Sequence, residues 1–427
     1  MQKLLESALA RLTKKILEKQ QPYVAAVSGS IGKTSAKEAV FCVLKEWKHA
    51  ATSPKNYNNE LGVPLSVIGA KAPGRNPLKW LALFGSAIRL AYFEDKNYPK
   101  CLVLEFGGDH VGDIEHLMNL ATPKLGVLTA IEATHTEFYG SVEAIEKEEG
   151  KVITMLPADG VGVVNIDSAH SAASLNSARC KTISYGFGSA AKVRGTSSTW
   201  ALDWDRLTAS TELLVESDRE VGSLEVRGVL GSHSCYALLA AIAAGKAVGI
   251  SLEDCLKFLK SYQAPKGRMR AIPGIKGTII IDDTYNSSPV ACMKALDTLA
   301  ALSPKSGNGK RFAVLGHMAE LGAISMRSHE EVGVHLAKSG IEILVTVGEK
   351  TLDVARAARQ AGMSEQCIFE FGRTEEAGRF VQERMHPGDL VLAKGSQSSR
   401  MERIVKELMA DPRRAEELLV RQDPEWI

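Results

Sequence analysis

The sequence predicts an α/β protein, with a mostly parallel sheet domain of the P-loop type followed by a Rossmann-like α/β domain. Three observations carry this. Short apolar runs alternate with helical patterns along most of the 427 residues, the pattern of parallel strands covered by helices. The first run, VAAVS at 24–28, leads through the turn GSIGKTS into a helical segment, the order in which strand, glycine turn and helix N-terminus meet around phosphate. The stretch 262–277, YQAPKGRMRAIPGIKG, is rich in Pro, Gly and basic residues and places a domain boundary between two such series.

Residues 1–23 carry Leu4, Leu5, Leu9, Leu12, Ile16 and Leu17 at three- and four-residue spacing, which predicts an amphipathic helix packed on a neighbour. A central domain then spans 24–265. Its strands are 24–28, 101–106 (CLVLEF), 125–131 (LGVLTAI) and 160–165 (GVGVVN), with helices over 36–47 and 142–156. Between about 191 and 230 the alternation in LTASTELLV and SLEVRGVL predicts an antiparallel patch. Residues 231–249 turn helical and alanine-rich. The C-terminal domain, 266–427, offers strands at 278–283, 311–316, 343–348 and 389–395.

Composition excludes several classes. Hydrophobic residues make up 45% and charged residues 24%, and 52 basic residues face 50 acidic ones, so no net field recruits nucleic acid or a membrane. The seven cysteines, at 42, 101, 180, 235, 255, 292 and 367, form no C-x-x-C pair, and read as small hydrophobes in a reducing compartment. The N-terminus has no apolar signal-peptide core. The apolar segment 78–93 contains Lys79 and Arg89 and is too short to span a bilayer, so a buried helix is expected. These readings describe a cytoplasmic monomer with small-molecule or peptide substrates, no nucleic-acid partner and no stable membrane insertion.

The chemistry concentrates in a few residues. In the glycine turn Gly29, Ser30, Gly32, Lys33, Thr34 and Ser35 can hold ATP phosphates, with Lys33 reaching the terminal phosphates and Thr34 ligating Mg²⁺. A standard phosphate loop has a glycine where this sequence has Val27, and the first glycine here is Gly29. A turn that only joins strand to helix is the alternative on pattern alone.

The shortened form G-x-x-G-K-[ST] and an ordered series of further blocks resemble the Mur ligase family, in the branch that adds D-alanyl-D-alanine. The series runs through NYNNELGVP (56–64), LEFGGDH (104–110) and HTEFYGS (135–141). It continues with Gly267-Arg268, DDTYNSSP (282–289), VLGHMAELG (314–322), Lys394-Gly395-Ser396 and Met401-Glu402. The resemblance implies an amide-bond ligase that activates a carboxylate as an acyl phosphate, using ATP and Mg²⁺ across a hinged pair of domains. It implies metal ligation by Thr34, Glu105 and His135, and nucleotide contacts from Arg268, Asp283 and Asn286. Substrate contacts fall to Asn56, Asn58, Asn59, Lys394 and Ser396. The plainer alternatives are a structural histidine at 135, and a buried acidic turn or helix N-cap at Asp282 and Asp283.

Three departures from the family stand out. About 23 residues precede the first strand, fewer than the family's UDP-binding N-terminal domain needs, so that domain is expected to be missing and the carboxylate substrate stays open. Glu149 aligns with a lysine that the family carbamylates to hold metal, and supplies a carboxylate directly; solvated helix charges at Glu146, Glu148 and Glu149 are the alternative. Ser234 and Ala237 replace two asparagines beside His233 and cannot reproduce amide hydrogen bonding. Two other functions remain beside D-alanyl-D-alanine addition to a UDP-N-acetylmuramoyl-tripeptide. One is ligation of a lipid-linked or free peptide carboxylate; the other is a nucleotide-binding regulator without turnover.

Overall fold

The computed structural model describes residues 2–53, 57–74, 76–132, 139–305, 309–423 and 426. It divides into two compact units. The first comprises Met1–Ser197, Leu213–Leu224 and Tyr236–Tyr262; the second comprises Ser198–Glu212, Glu225–Cys235 and Gln263–Ile427.

The amphipathic pattern at the N-terminus forms helix α1 (Gln2–Gln20). It buries Leu9 and Ile16 completely and packs Leu5, Leu12 and Leu17 against the same core. Nine strands follow: β1 (Tyr23–Ser28), β2 (Ala50–Thr52), β3 (Cys101–Glu105), β4 (Leu125–Leu128), β5 (Val161–Asn165), β6 (Lys181–Gly186), β7 (Val193–Asp203), β8 (Thr208–Ser217) and β9 (Glu220–Arg227). They join in the order β2-β3-β1-β4-β5-β6-β7-β8-β9, and every pairing from β2 to β7 is parallel. The strands β1, β3 and β4 are buried on both faces, which is why they read as unbroken apolar runs. Chain direction across the sheet reverses at β1, with β3 on one side and β4 on the other. Ligand sites of open α/β sheets lie at the carboxyl ends of strands at such a reversal.

Helix α2 (Lys33–Trp47) starts three residues earlier than its apolar pattern suggested and lies after the glycine turn. Next come α3 (Gly62–Ile68) and α4 (Pro77–Tyr92), then α5 (Asp113–Leu120). The helix expected over 142–156 breaks at Gly150 into Val142–Glu149 and Lys151–Thr154. Glycine is a poor helix residue, and a Cβ there would stand 2.7 Å from the Glu146 carbonyl oxygen. The segment 78–93 is not the buried helix expected of it. Only Leu83, Ala87, Leu90 and Ala91 of α4 are covered, because a straight helix turns one face to its neighbours, and this one is apolar on the other face too.

The second unit contains β10 (Arg270–Gly274), β11 (Thr278–Asp283), β12 (Arg311–Gly316), β13 (Ile343–Val347), β14 (Ile368–Phe371) and β15 (Leu390–Lys394), in the order β10-β11-β15-β12-β13-β14. Only β10, within the glycine-rich stretch at 262–277, is antiparallel to its neighbour. Alternate residues serve opposite faces: Ile279, Ile281, Leu390 and Leu392 enter one core, Ile280, Val391 and Ala393 the other. All seven cysteines are free thiols.

A buried ion pair secures the loop after β11. Glu402 is fully covered and accepts from Arg421 Nη2 at 3.0 Å and from Arg400 Nε at 2.6 Å. Arg421 also donates to the carbonyls of Thr284 and Tyr285. Removing one partner strands a buried charge, so Glu402→Ala is expected to lower unfolding stability by about 3–5 kcal/mol in urea titration; a loss under about 1 kcal/mol would mean the pair is dispensable.

Candidate active site

The first unit gathers its chemistry where β1 and β3 end. Val27 lies opposite Glu105 in the parallel register, so the last residue of β3 sits beside the start of the glycine turn. The turn is pinned from behind. Ser30 and Ile31 amides donate to the Ala130 carbonyl at 2.9 and 3.1 Å, and Gly29 at φ +129° passes so close to β4 that a Cβ would meet Thr129 Oγ1 at 2.2 Å. Gly32, at φ +87°, turns the chain into α2, whose first turn has no side-chain cap. The uncapped amides and the positive helix end suit phosphate.

Glu149 is the centre of this arrangement. It is 2% exposed, its Oε2 accepts from the Gly29 amide at 2.9 Å and from the Ser28 hydroxyl, and its Oε1 lies 3.9 Å from Lys33 Nζ. Lys33 also donates to the Gly29 carbonyl. The alternative of solvated helix charges fails for Glu149 and for Glu148, which is 1% exposed and accepts from the Ile114 amide at 2.9 Å; it holds for Glu146, which is partly exposed and contacts His170 at 2.6 Å. The neighbouring lysines sit elsewhere. Lys147 is exposed. Lys151 is tied to Glu115 and Glu148 at 2.8 Å; burial opposes its charge, but these hydrogen bonds hold it above the ordinary lysine range.

Glu105 is 1% exposed. Its Oε1 accepts from Asn58 Nδ2 at 3.1 Å, and its Oε2 is buried with no hydrogen-bond partner among the described residues, as is Ser30 Oγ. A buried carboxylate oxygen left unsatisfied is costly unless a cation completes it. Among the described residues no three His, Cys, Asp or Glu side chains form a closed metal cage. The unsatisfied carboxylate oxygen of Glu105 and the hydroxyl of Thr34 are hard oxygens, the ligand type Mg²⁺ takes when it shares its shell with phosphates and water. Asn59 is exposed and its Oδ1 accepts from the Gly62 amide at 2.9 Å. His135 and Asn56, both expected at this site, lie outside the described residues.

Sequence reasoning passed over Ser28 and Tyr139. Ser28 is a fully buried polar residue closing an otherwise apolar strand, and that oddity was the available signal. The Tyr139 hydroxyl is buried without a partner among the described residues. Burial, with the charges of Glu149, Glu148, Asp113 and Asp109, pushes it far above the usual range, so it stays a proton donor.

The second unit builds a separate constellation at the ends of β11 and β15, where Asp283 lies opposite Lys394. Lys394, 2% exposed, donates to Asp283 Oδ2 at 2.6 Å and to the Asn286 carbonyl at 3.0 Å. Asp283 Oδ1 accepts from the Met269 amide at 3.2 Å. Asp282 fulfils the plainer alternative of a buried acidic turn, accepting from the Gly267 and Thr284 amides at 3.2 Å and the Thr284 hydroxyl at 2.6 Å. Burial pushes its carboxyl up to about 6. Neither aspartate caps the following helix, Pro289–Ala301, whose N-cap is Ser288. The Arg268 guanidinium lies over the Tyr285 ring at 4.2 Å, and its buried Nε lacks a hydrogen-bond partner among the described residues. Asn286 is exposed. Ser396 Oγ accepts from the Ala319 amide at 2.8 Å and donates to the Ser287 carbonyl at 3.3 Å. The His233 ring belongs here as well; burial drives it down to about 4, with Asp283 opposing and Lys394 and Arg268 adding to the fall. Ser234, in place of the family's asparagine, donates back to the Leu230 carbonyl at 2.7 Å.

Residues 86–245 match the Mur ligase middle domain, and residues 267–397 match the Mur ligase glutamate ligase domain. The UDP-N-acetylmuramoyl-tripeptide–D-alanyl-D-alanine ligase of Bacillus subtilis is 29% identical over 407 residues, covering 95% of this chain and 80% of that one. Among solved structures, MurF of Acinetobacter baumannii superposes with a TM-score of 0.75 at 25% identity, covering 95% of this chain and 81% of its own. MurF of Thermotoga maritima, solved in complex with ADP, gives 0.77 at 24% identity, covering 94% and 83%. The two matched domains and the fold agree with the glycine turn, the block series and the paired carboxylates: this chain belongs to the Mur ligases.

Proposed function

We propose that this chain is an ATP-dependent, ADP-forming ligase that joins D-alanyl-D-alanine to a UDP-N-acetylmuramoyl-tripeptide, as a cytoplasmic, monomeric enzyme of peptidoglycan synthesis. The relative from Bacillus subtilis carries that activity in its name. The observation that carries the reading is the convergence of Lys33, Glu149 and the half-satisfied Glu105 on an uncapped glycine turn.

A carboxylate does not react with an amine until one of its oxygens can leave as phosphate. In this account the substrate carboxylate attacks the γ-phosphorus, ADP departs, and the amine then displaces phosphate from the acyl phosphate. Gly29, Ser30, Gly32 and Ser35 cradle the phosphates, and Lys33 neutralises charge on the transferring group. Thr34, Glu105 and Glu149, with His135, would hold Mg²⁺, which supplies charge neutralisation at the phosphates. Asn56, Asn58 and Asn59 serve the peptide substrate. In the second unit Arg268, Asp283 and Asn286 serve the nucleotide, and Lys394 and Ser396 the substrate. The Lys394 ammonium has two of its three donors engaged by Asp283 and Asn286, so its contribution includes holding those two residues in place.

Two measurements test this. ADP release is expected only when the UDP-sugar tripeptide and D-alanyl-D-alanine are both present, with the pentapeptide product seen by mass spectrometry. Lys33→Ala is expected to cut kcat by about a hundredfold or more. Release driven by another carboxylate would reassign the substrate, no release with any pair would leave a nucleotide-binding regulator, and full activity in Lys33→Ala would displace the phosphate site. Because Glu149 presents a carboxylate with no need of carbamylation, turnover is expected to be the same in CO₂-stripped and bicarbonate-supplemented buffer. Rescue by bicarbonate would point to Lys147 or Lys151 as the modified ligand.

A further inference from the structure

Helix α4 leaves an apolar face uncovered. Leu78, Leu81, Ile88 and Tyr92 are 74%, 71%, 49% and 57% exposed, and Phe93 just beyond is 67% exposed. Their spacing of three, seven and four residues, with Gly85 between, puts the helical four on one stripe. The opposite stripe, Leu83, Ala87 and Leu90, is packed in the core. A helix apolar on both faces with one already covered asks for a second apolar medium.

The charges around the stripe say which medium. Within 77–92 the only charged residues are Lys79 and Arg89, the latter paired with Asp95 at 2.9 Å. Lys15 of the adjoining α1 reaches across to the Tyr92 hydroxyl at 2.8 Å and sits 4.8 Å from its ring centre. Arg11 and Lys19, one helical turn to either side of Lys15, are likewise exposed. Exposed Glu18 and Glu94 also lie on this border, but Arg11, Lys14, Lys15, Lys19 and Lys79 outnumber them. Apolar and aromatic side chains with a mainly basic border describe an element that lies in the plane of a membrane interface. No helix among the described residues is long and apolar enough to cross one.

We propose that the α1–α4 face docks peripherally on an anionic lipid bilayer, α4 lying flat in the headgroup region. The loop before α4 is tied to the catalytic edge of the sheet, since the Ala72 amide donates to Tyr57 Oη at 3.1 Å, one residue from the Asn58 that contacts Glu105. Docking therefore engages the part of the unit that adjoins the active site.

The test is vesicle flotation of the full chain with phosphatidylcholine alone or mixed with phosphatidylglycerol. Wild type is expected to float with the anionic vesicles only. Leu81→Glu combined with Ile88→Glu, both surface changes, is expected to weaken that binding by roughly tenfold or more while thermal unfolding and ATP turnover hold. The triple variant Arg11→Glu, Lys15→Glu, Lys19→Glu is expected to lose the preference for anionic lipid. Failure of wild type to float, or equal flotation of the double variant, overturns the proposal. A lipid-free dimer that the double variant converts to monomer also overturns it, assigning the face to a second copy. Loss of ligase activity on every substrate pair, with flotation intact, would count against the catalytic reading alone.

Discussion

The catalytic unit depends on one contact, the buried carboxylate of Glu149 against the Gly29 amide and the Ser28 hydroxyl. It closes the gap between the helix Val142–Glu149 and the carboxyl end of β1, the strand at which the sheet order reverses. With that contact made, the glycine turn has a fixed origin, Lys33 lies near a negative charge before any nucleotide arrives, and the adjoining strand delivers Glu105 alongside. Preorganised charge of this kind is where enzymes gain most of their electrostatic stabilisation, because nothing need reorient during reaction.

The second unit uses the same device with opposite sign. There a lysine, Lys394, is buried against Asp283 at the facing ends of two parallel strands, and the neighbouring Asp282 spends its oxygens on the amides of the turn. One aspartate shapes the loop and the other binds the cation, so two adjacent identical residues take different tasks. The difference follows from strand alternation, which sends consecutive side chains to opposite faces.

Much of this was legible in the sequence, for stated reasons. Strands buried on both faces leave unbroken apolar runs, so β1, β3, β4, β11, β12, β13 and β15 were all found. Three-residue β2 left too short a run to detect. The amphipathic period of α1 was equally clear. The 78–93 segment misled because hydrophobicity without periodicity says that a helix is apolar, not how many of its faces the chain itself can cover. At the site, residue types in an ordered series pointed to Lys33, Thr34 and Glu105, but no spacing rule could show that Ser28 is pinned by Glu149 or that Tyr139 stays protonated among four acids. The first depends on residues more than a hundred positions apart, the second on acids from two separate segments gathered around one hydroxyl, and only the fold brings either together.

In the proposed function Glu105, with one carboxylate oxygen bonded to Asn58 and the other unsatisfied, would take the metal of a metal–nucleotide complex. Calorimetric titration of ADP into wild type and Glu105→Gln, with and without Mg²⁺, addresses it directly. Mg²⁺ is expected to tighten ADP binding to wild type, and Glu105→Gln is expected to lose this gain while its metal-free affinity is little changed. An equal gain from Mg²⁺ in both proteins would contradict it.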